Sequence, residues 1–401
     1  MAEIVRSEAP DLAQPERRAT RFPLFDGFRA IAATAVLLTH VAFTTGFDTQ
    51  SSYGGYFARA DVGVAIFFLI SGFLLYRPFV SARFRAEPAP RTGAFWWRRA
   101  LRIYPAYWAA LVALVVIGGI HVAGFTAWLR FIFLVHIYWP TTVFGPVNQS
   151  WTLATEVAFY LFLPLYAYVL RSAVRHEASP RRKLYVELAG IAALVAITWL
   201  YRWLLVSLNT DRFGVYNTWL PSWLDHFGLG MLLAVTSVWC AEHRRHAPAG
   251  LERRWAPAVC WVVAGFAFWL VSMRMGVAVN FVEFTTRDEM VCHVMYAIVA
   301  FFFLLPGVFG PQDKGLIRRA LRNRAVQLVG LISYGVYLWH ELLIIKFREW
   351  AGAPADGIGG NFGKLALAVF AGTLVLATLS YVVIERPLLR RKYREPRFLT
   401  R

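Results

Sequence analysis

The chain has 401 residues, of which 58% are apolar and 16% are charged. A soluble domain usually has about 45–50% apolar and ~25% charged residues, so this composition excludes an ordinary soluble enzyme. The apolar residues are concentrated in runs of roughly 20, the length that crosses a bilayer as a helix. Three cysteines without paired spacing give no indication of a disulfide framework.

Ten apolar runs are predicted to be membrane spans. The first 26 residues lack the apolar centre of a secretory signal peptide, so the first run is expected to remain in the mature protein. In chain order the predicted spans are 27–46, 62–80, 103–123, 151–170, 183–206, 220–240, 255–275, 289–308, 327–350 and 363–384. The run 124–139 is too short and interrupted to span, and is expected to lie at the interface or re-enter. Because the bilayer offers backbone groups no partner, an all-α polytopic integral membrane protein is predicted.

The basic residues explain the net charge of +18 without nucleic acid. Both termini and the connections on their side of the membrane hold 32 Lys and Arg residues, and the opposite side holds eight. The cytoplasmic side of a membrane protein carries this excess, so both termini are predicted to be cytoplasmic, in the inner membrane. The expected organisation is a tail at 1–26, one membrane domain at 27–385 and a basic tail at 386–401, with the lipid bilayer as a partner.

The first span contains an arginine and a histidine, Arg29 and His40, in the run GFRAIAATAVLLTH. Eleven residues of helix give a rise of about 16 Å and a net rotation of about 20°, so both side chains are predicted on one helix face. An ionisable residue inside a membrane is costly and usually functional. The alternatives are an interfacial anchor for Arg29 and an interhelical hydrogen bond for His40.

Two further ionisable residues are predicted at the depth of His40. Glu156 lies near the outer end of the fourth span, and His340 lies beneath the outer end of the ninth. Two imidazoles and a carboxylate in one layer of the outer half would suit acid–base chemistry, because a carboxylate can orient an imidazole or stabilise its cation.

The inner layer is rich in arginine. Arg77 closes the second span, and Arg98, Arg99 and Arg102 are expected just before the third. Together with Arg29 they could bind phosphates bidentately, although an ordinary cytoplasmic basic cluster has the same composition. The small residues of the first span, Ala30 to Ala35, suit either a tunnel wall or close helix packing.

Two weaker clusters lie elsewhere in the sequence. Asp225 and His226 lie near the outer end of the sixth span and could contact a substrate. The alternative for Asp225 is a structural pairing with Arg202. The run CAEHRRH (240–246) has ligand-like spacing, but its arginines disfavour a cation, and no metal is predicted.

Six segments, in the same order, resemble the membrane-bound acyltransferase family 3, whose members O-acylate carbohydrates and related molecules. They are DGFRAIAATAVLLTH, VGVAIFFLISGFLLYRPF, RRALRIYPAYW, QSWTLATEVAFYLFLPL, SYGVYLWH and the ERP that begins at Glu385. Relatives often read WSLSVEEQFYL in the fourth segment and continue with Trp and Pro after YLWH, where this chain has Glu341 and Leu342. No SGNH-type esterase domain is expected.

The resemblance implies an acyl donor, acyl-CoA, with acetyl as the expected group, and a glycan, glycolipid or glycosylated metabolite as acceptor. It implies that Arg29 holds the donor and that His40 takes part in transfer. Three sets of residues are therefore predicted: catalytic His40, Glu156 and His340; donor-binding Arg29, Arg77, Arg98, Arg99, Arg102 and Tyr104; acceptor-binding Ser71, Trp151, Asp225 and His226. His40 is expected to act as general base, with an acyl-histidine intermediate as the alternative. The rival functions are a proton-coupled transporter or flippase and a non-catalytic acyl-CoA sensor.

Overall fold

The computed structural model describes residues 22–145, 147–208, 213–243, 250–251, 253, 255–279, 283–310, 312, 314–352 and 359–391. In these ranges the chain forms helices and no strand, as predicted, and twelve helices have eight or more residues. They are α1 (Phe25–Thr45), α2 (Gly63–Phe84), α3 (Thr92–Val116), α4 (Phe125–Ile132), α5 (Ser150–Ala173), α6 (Pro180–Ser207), α7 (Leu224–Glu242), α8 (Ala256–Met273), α9 (Thr286–Val308), α10 (Arg324–Leu331), α11 (Ser333–Trp350) and α12 (Phe362–Ser380). The predicted terminal tails lie largely outside the described residues.

The helices confirm the prediction of a membrane protein with about ten spans. Within the described ranges, nine helices are long and apolar enough to cross a bilayer. Helices α10 and α11 are a tenth candidate when they are taken as one unit, and they are bent by 72° at a break around Ile332. The ninth predicted span, 327–350, is therefore a broken helix and not a straight one. Broken helices inside membranes expose backbone groups, and they are found where the chain lines a cavity.

The third span begins earlier than predicted. Helix α3 starts at Thr92, so Arg98, Arg99 and Arg102 lie within the helix and not before it. Hydropathy placed the start too late because three arginines interrupt the apolar pattern. These arginines therefore have helical spacing: Arg102 is three residues from Arg99 and four from Arg98, so it can share a helix face with either.

The segment 124–139 does not span, as predicted. It forms α4 and a short 3₁₀ turn at His136–Tyr138, and the hydroxyl of Tyr107 on α3 donates to the carbonyl of Phe131 over 2.9 Å. His136 is buried, which lowers its pKa to about 4, and its Nε2 lies 3.0 Å from the Ser150 hydroxyl. The turn thus fixes the start of α5.

Helix α1 lies at the centre of the bundle. Its buried residues belong to three apolar clusters. One cluster includes residues of α2 and α9, and a second includes residues of α11 and α12. The third contains Val36 of α1 together with residues of α3 and α5. A Cβ on Gly63 would collide with the carbonyl of Ala32, and one on Gly72 with the carbonyl of Phe227 on α7. The alanines of α1 therefore serve close helix packing, which was one of their two predicted roles, and small residues permit such contacts in membranes.

Candidate active site

An inner cavity of about 120 Å³ lies between α1, α2, α3, α5 and α11. Three arginines line it: Arg29 from α1, and Arg99 and Arg102 from α3. The break between α10 and α11 places Ser333 and Tyr334, the first residues of α11, in the same wall. A helix N-terminus carries a partial positive charge, so the dipole of α11 and the guanidinium groups favour an anion together.

Glu156 lies in this inner cavity, and its predicted position beside His40 is wrong. Its carboxylate accepts a hydrogen bond from the hydroxyl of Ser71 on α2, and both residues line the cavity. The prediction failed because depth was counted along each span separately, and the sequence of a span does not determine how α5 and α1 are placed against each other. Ser71 lines a cavity as predicted, but the one that contains Arg29.

A second cavity, the outer cavity, has a volume of about 350 Å³ and adjoins the inner one. His40 and Trp151 line it, together with polar residues from α9 and from the segments before α2, α5 and α7. Those polar residues include Arg59, Asp61, Asn148, Gln149, Asn217, Glu289, Cys292, His293 and Tyr296. Exposed Phe144 and Asn148 form part of its lining, so the cavity opens to the surface there. Its volume lies at the lower end of the range of small-molecule sites.

The two cavities share Val64, Thr152 and Tyr337. The hydroxyls of Thr152 and Tyr337 lie 2.5 Å apart, and the Tyr337 hydroxyl also donates to the carbonyl of Gln149 over 2.8 Å. The side-chain amide of Gln149 donates in return to the Tyr337 carbonyl over 3.2 Å. This interlock between α5 and α11 forms the barrier between the arginine cavity and the histidine cavity.

His40 and His340 form a hydrogen-bonded pair. The Nδ1 atom of His340 lies 3.2 Å from the carbonyl of Val336, and its Nε2 lies 3.0 Å from Nδ1 of His40. A carbonyl oxygen only accepts, so Nδ1 of His340 carries its proton and Nε2 of the neutral ring is an acceptor. His40 therefore donates through Nδ1, which leaves its Nε2 lone pair free. The prediction that these two histidines share a layer is confirmed.

Asp225 and His226 lie in a buried network and do not line the outer cavity. Asp225 accepts from Nδ1 of His226 over 2.9 Å and from Nε2 of His293 over 2.7 Å. Arg202 donates to Nδ1 of His293 over 2.6 Å, so the predicted pairing of Asp225 with Arg202 runs through His293. Of this group, only His293 faces the cavity.

The same geometry makes Asp225, His226 and His293 a poor metal site, although their ligand atoms lie within 4.8 Å of one another. Arg202 can only donate, so Nδ1 of His293 is the acceptor and Nε2 carries the proton. A protonated nitrogen cannot coordinate a metal. Of the run 240–246, residues 244–246 lie outside the described ones.

Three of the predicted donor-binding residues do not line the inner cavity. Arg77 donates to the hydroxyl of Ser237 over 3.2 Å, and Arg98 is not among the residues that line the cavity. The Tyr104 hydroxyl donates to the carbonyl of Phe133, toward α4. The tyrosine that lines the inner cavity on α11 is Tyr334, whereas Tyr104 was the tyrosine predicted to bind the donor.

Two charged or titratable residues of the outer cavity, Asp61 and His293, were missed in the sequence. Glu289 lines the same cavity and is held by the side-chain amide of Asn217 over 2.6 Å. Charged residues at or within apolar runs were the available signal, since such residues face protein interiors or water-filled cavities. Charged residues of a cavity differ from interfacial charges in that they pair with residues of other helices, and the sequence of one span does not show this pairing.

The fold and the two cavities define a multi-pass membrane protein with an arginine-lined site and a histidine-lined site that meet at one barrier. A family model described as an acyltransferase domain matches residues 23–385. The chain belongs to this family, acyltransferase family 3, and is therefore a membrane enzyme of O-acyl transfer.

Curated relatives are similar over most of the chain. Acyltransferase MdmB of Streptomyces mycarofaciens is 26% identical, over 93% of both chains, and Nodulation protein 10 of Rhizobium leguminosarum bv. viciae is 27% identical, over 91% of this chain and 93% of its own. Peptidoglycan O-acetyltransferase OatA of Listeria monocytogenes is 24% identical over 93% of this chain, which spans 57% of that protein. No solved structure matches.

Proposed function

We propose that this enzyme transfers an acyl group, most simply acetyl, from cytoplasmic acyl-CoA to a hydroxyl group of a glycan, glycolipid or glycosylated metabolite in the outer cavity. The observation that carries the proposal is that three arginines line one cavity and that His40, paired with His340, lines the other, with a hydrogen-bonded barrier between the two cavities.

The inner cavity supports an anionic donor. Arg29, Arg99 and Arg102 converge there with the N-terminus of α11, and guanidinium groups bind phosphates through paired N–H donors. The cavity is too small for a whole coenzyme. The nucleotide therefore stays at the mouth, beside the arginines, and the thioester end points toward Tyr337.

The outer cavity supports a polyhydroxylated acceptor. Carboxylates, amides and indole rings line it, among them Asp61, Asn148 and Trp151, and these groups can accept from, donate to and stack on a sugar. The printed names of the relatives agree with this class, since one of them is a peptidoglycan O-acetyltransferase.

The chemistry requires a base beside the acceptor hydroxyl. Nε2 of His40 takes the hydroxyl proton while the oxygen attacks the thioester carbonyl, and the tetrahedral intermediate then expels the CoA thiolate. The proton held by His40 passes to that thiolate, which leaves as the thiol. The imidazole returns to its starting tautomer because its Nδ1 proton stays on His40 throughout, donated to Nε2 of His340. The Thr152–Tyr337 barrier has to open for the thioester to reach His40.

Purified protein incubated with acetyl-CoA, labelled in the acetyl group, and a panel of glycan and glycolipid acceptors tests the proposal. The expected result is a labelled O-ester together with one equivalent of free CoA thiol per ester. Binding of acetyl-CoA without an ester would indicate a sensor, and movement of unmodified acceptor across vesicles would indicate a transporter. Either of these two results contradicts the proposal.

His340 acts in this mechanism by holding His40. Replacing it with leucine removes the acceptor for the Nδ1 proton of His40, and we expect kcat to fall about ten- to hundredfold, since a lost hydrogen bond of this kind is worth about 1–3 kcal/mol. Glutamine offers a carbonyl acceptor, and His340→Gln is expected to retain more activity than His340→Leu. KM for acetyl-CoA should stay unchanged in both. Equal loss of kcat in the two variants would show that the hydrogen-bond acceptor at position 340 does not contribute to the rate.

A further inference from the structure

Glu341, which follows His340 on α11, is a carboxylate close to both rings of the histidine pair. One carboxylate oxygen of Glu341 lies within 4.8 Å of a ring nitrogen of His40 and of a ring nitrogen of His340. Its Oε2 atom is shielded from solvent and has no hydrogen-bond partner. The sequence comparison treated this position only as a departure from the pattern that follows YLWH.

A carboxylate in this position would normally have a cation or a donor beside it. A buried charge without a partner is costly, so such groups are retained where something compensates for them. In the resting tautomer both histidines are neutral, and Nδ1 of His340 is already committed to the Val336 carbonyl. Arg130 lines the same surface groove as Glu341 and is one cation on that side, and a second positive charge appears beside the carboxylate when His40 takes a proton.

We propose that Glu341 stabilises the cation that forms on the His40–His340 pair when His40 accepts the proton of the acceptor hydroxyl. This inference rests on the proposed function and assigns to Glu341 a part that the sequence gave to Glu156 or His340. Glu341 touches neither the acceptor nor the donor, so it is a positioning and electrostatic residue. An opposite charge at this distance, partly shielded from water, is enough to change a rate by one to two orders of magnitude.

A divalent metal is the competing occupant, because two imidazoles and a carboxylate are ligands of zinc. The hydrogen bond from His40 Nδ1 to His340 Nε2 occupies the atoms that would face such an ion. A protonated Nδ1 is not a ligand, and so the geometry favours the charge pair.

The test compares Glu341→Gln with the wild type in acetyl transfer. We expect kcat to fall about ten- to hundredfold and KM for both substrates to remain unchanged, because only the charged transition state loses an interaction. Glu341→Asp should recover part of the loss, and the melting temperature should be unaffected. Glu349→Gln is the matched control: Glu349 lies further along the same helix, pairs with Lys346 over 2.7 Å and is more exposed.

A second measurement does not depend on turnover. Diethylpyrocarbonate modifies neutral imidazole, and modification of the His40 peptide can be followed by mass spectrometry. If Glu341 stabilises a cation on the histidine pair, which does not react, His40 should be modified faster in Glu341→Gln than in the wild type. Arg59, Asp61, Glu289 and His293 also face the outer cavity, but they are the same in both proteins, so the difference reports Glu341 alone.

Two results with Glu341→Gln would overturn the inference. The first is unchanged modification of His40 together with unchanged kcat. The second is a melting temperature that is lowered in parallel with activity. Activity abolished by a chelator and restored by zinc would overturn it in favour of a metal site. If the wild type makes no ester from acetyl-CoA but His40 is modified faster in the variant, the charge pair stands and the proposed donor fails.

Discussion

His40→Ala is expected to lower acyl transfer by about 10²–10⁴-fold while the protein stays folded. The reason is the loss of the base: general-base assistance contributes rate factors of this size. In this structure the Nε2 lone pair of His40 is the one that His340 leaves free. The measurement is the rate of labelled ester formation by the purified variant, with the equilibrium Kd for acetyl-CoA measured on the same sample.

The Kd should stay close to that of the wild type, because His40 lines the outer cavity and the donor arginines line the inner one. His121→Ala provides the control for a general effect of removing an imidazole, since His121 is exposed and lines neither cavity. Normal turnover by His40→Ala would end the proposed chemistry. A large loss in His121→Ala would show that the assay reports stability instead.

Arg29→Ala is expected to weaken acetyl-CoA binding about ten- to hundredfold. A hydrogen bond to a charged group is worth about 1.5–3 kcal/mol, and each 1.4 kcal/mol is tenfold in Kd. Arg29 pairs with Asp26 over 2.8 Å, and in the proposed complex a phosphate of the donor would compete with this carboxylate for the guanidinium. Calorimetric titration of the purified variant with acetyl-CoA gives the Kd directly.

Arg29→Lys should recover little of this affinity, because an ammonium group lacks the planar pair of donors that a phosphate accepts. Arg182→Ala is the matched control on an exposed pair, since Arg182 is bound to Glu177 and is distant in sequence from both cavities. Unchanged affinity in Arg29→Ala, or an equal loss in Arg182→Ala, would contradict the assignment of the inner cavity to the donor.

The sequence was sufficient to predict features that lie within a single helix. Arg29 and His40 lie on a single unbroken helix, so their spacing and their common face follow from helical geometry. The number of spans followed from apolar runs in the same way, because each span satisfies its own backbone. The pairing of His40 with His340 was also anticipated, since both lie within spans where an ionisable side chain needs a partner.

The errors concern relations between helices. Glu156 was assigned to the layer of His40, yet it lies on the inner side of the Tyr337–Thr152 barrier. Glu341 was treated as incidental, yet its carboxylate reaches the histidine pair. Hydropathy gives the length of a span with an uncertainty of several residues, and an error of one helical turn moves a side chain by about 5.4 Å along the membrane normal.

The sequence by itself determined a helical membrane protein with about ten spans, and it placed an arginine and a histidine on one face of the first. Tertiary structure alone decided the 72° break that turns the start of α11 toward the arginines, the barrier between the cavities and the carboxylate beside the histidines. The physical reason is that rise and rotation within a helix are set by its own backbone hydrogen bonds. The depth and tilt of one helix against another are set by side-chain packing, as where Gly72 meets the Phe227 carbonyl, and no single segment contains that information.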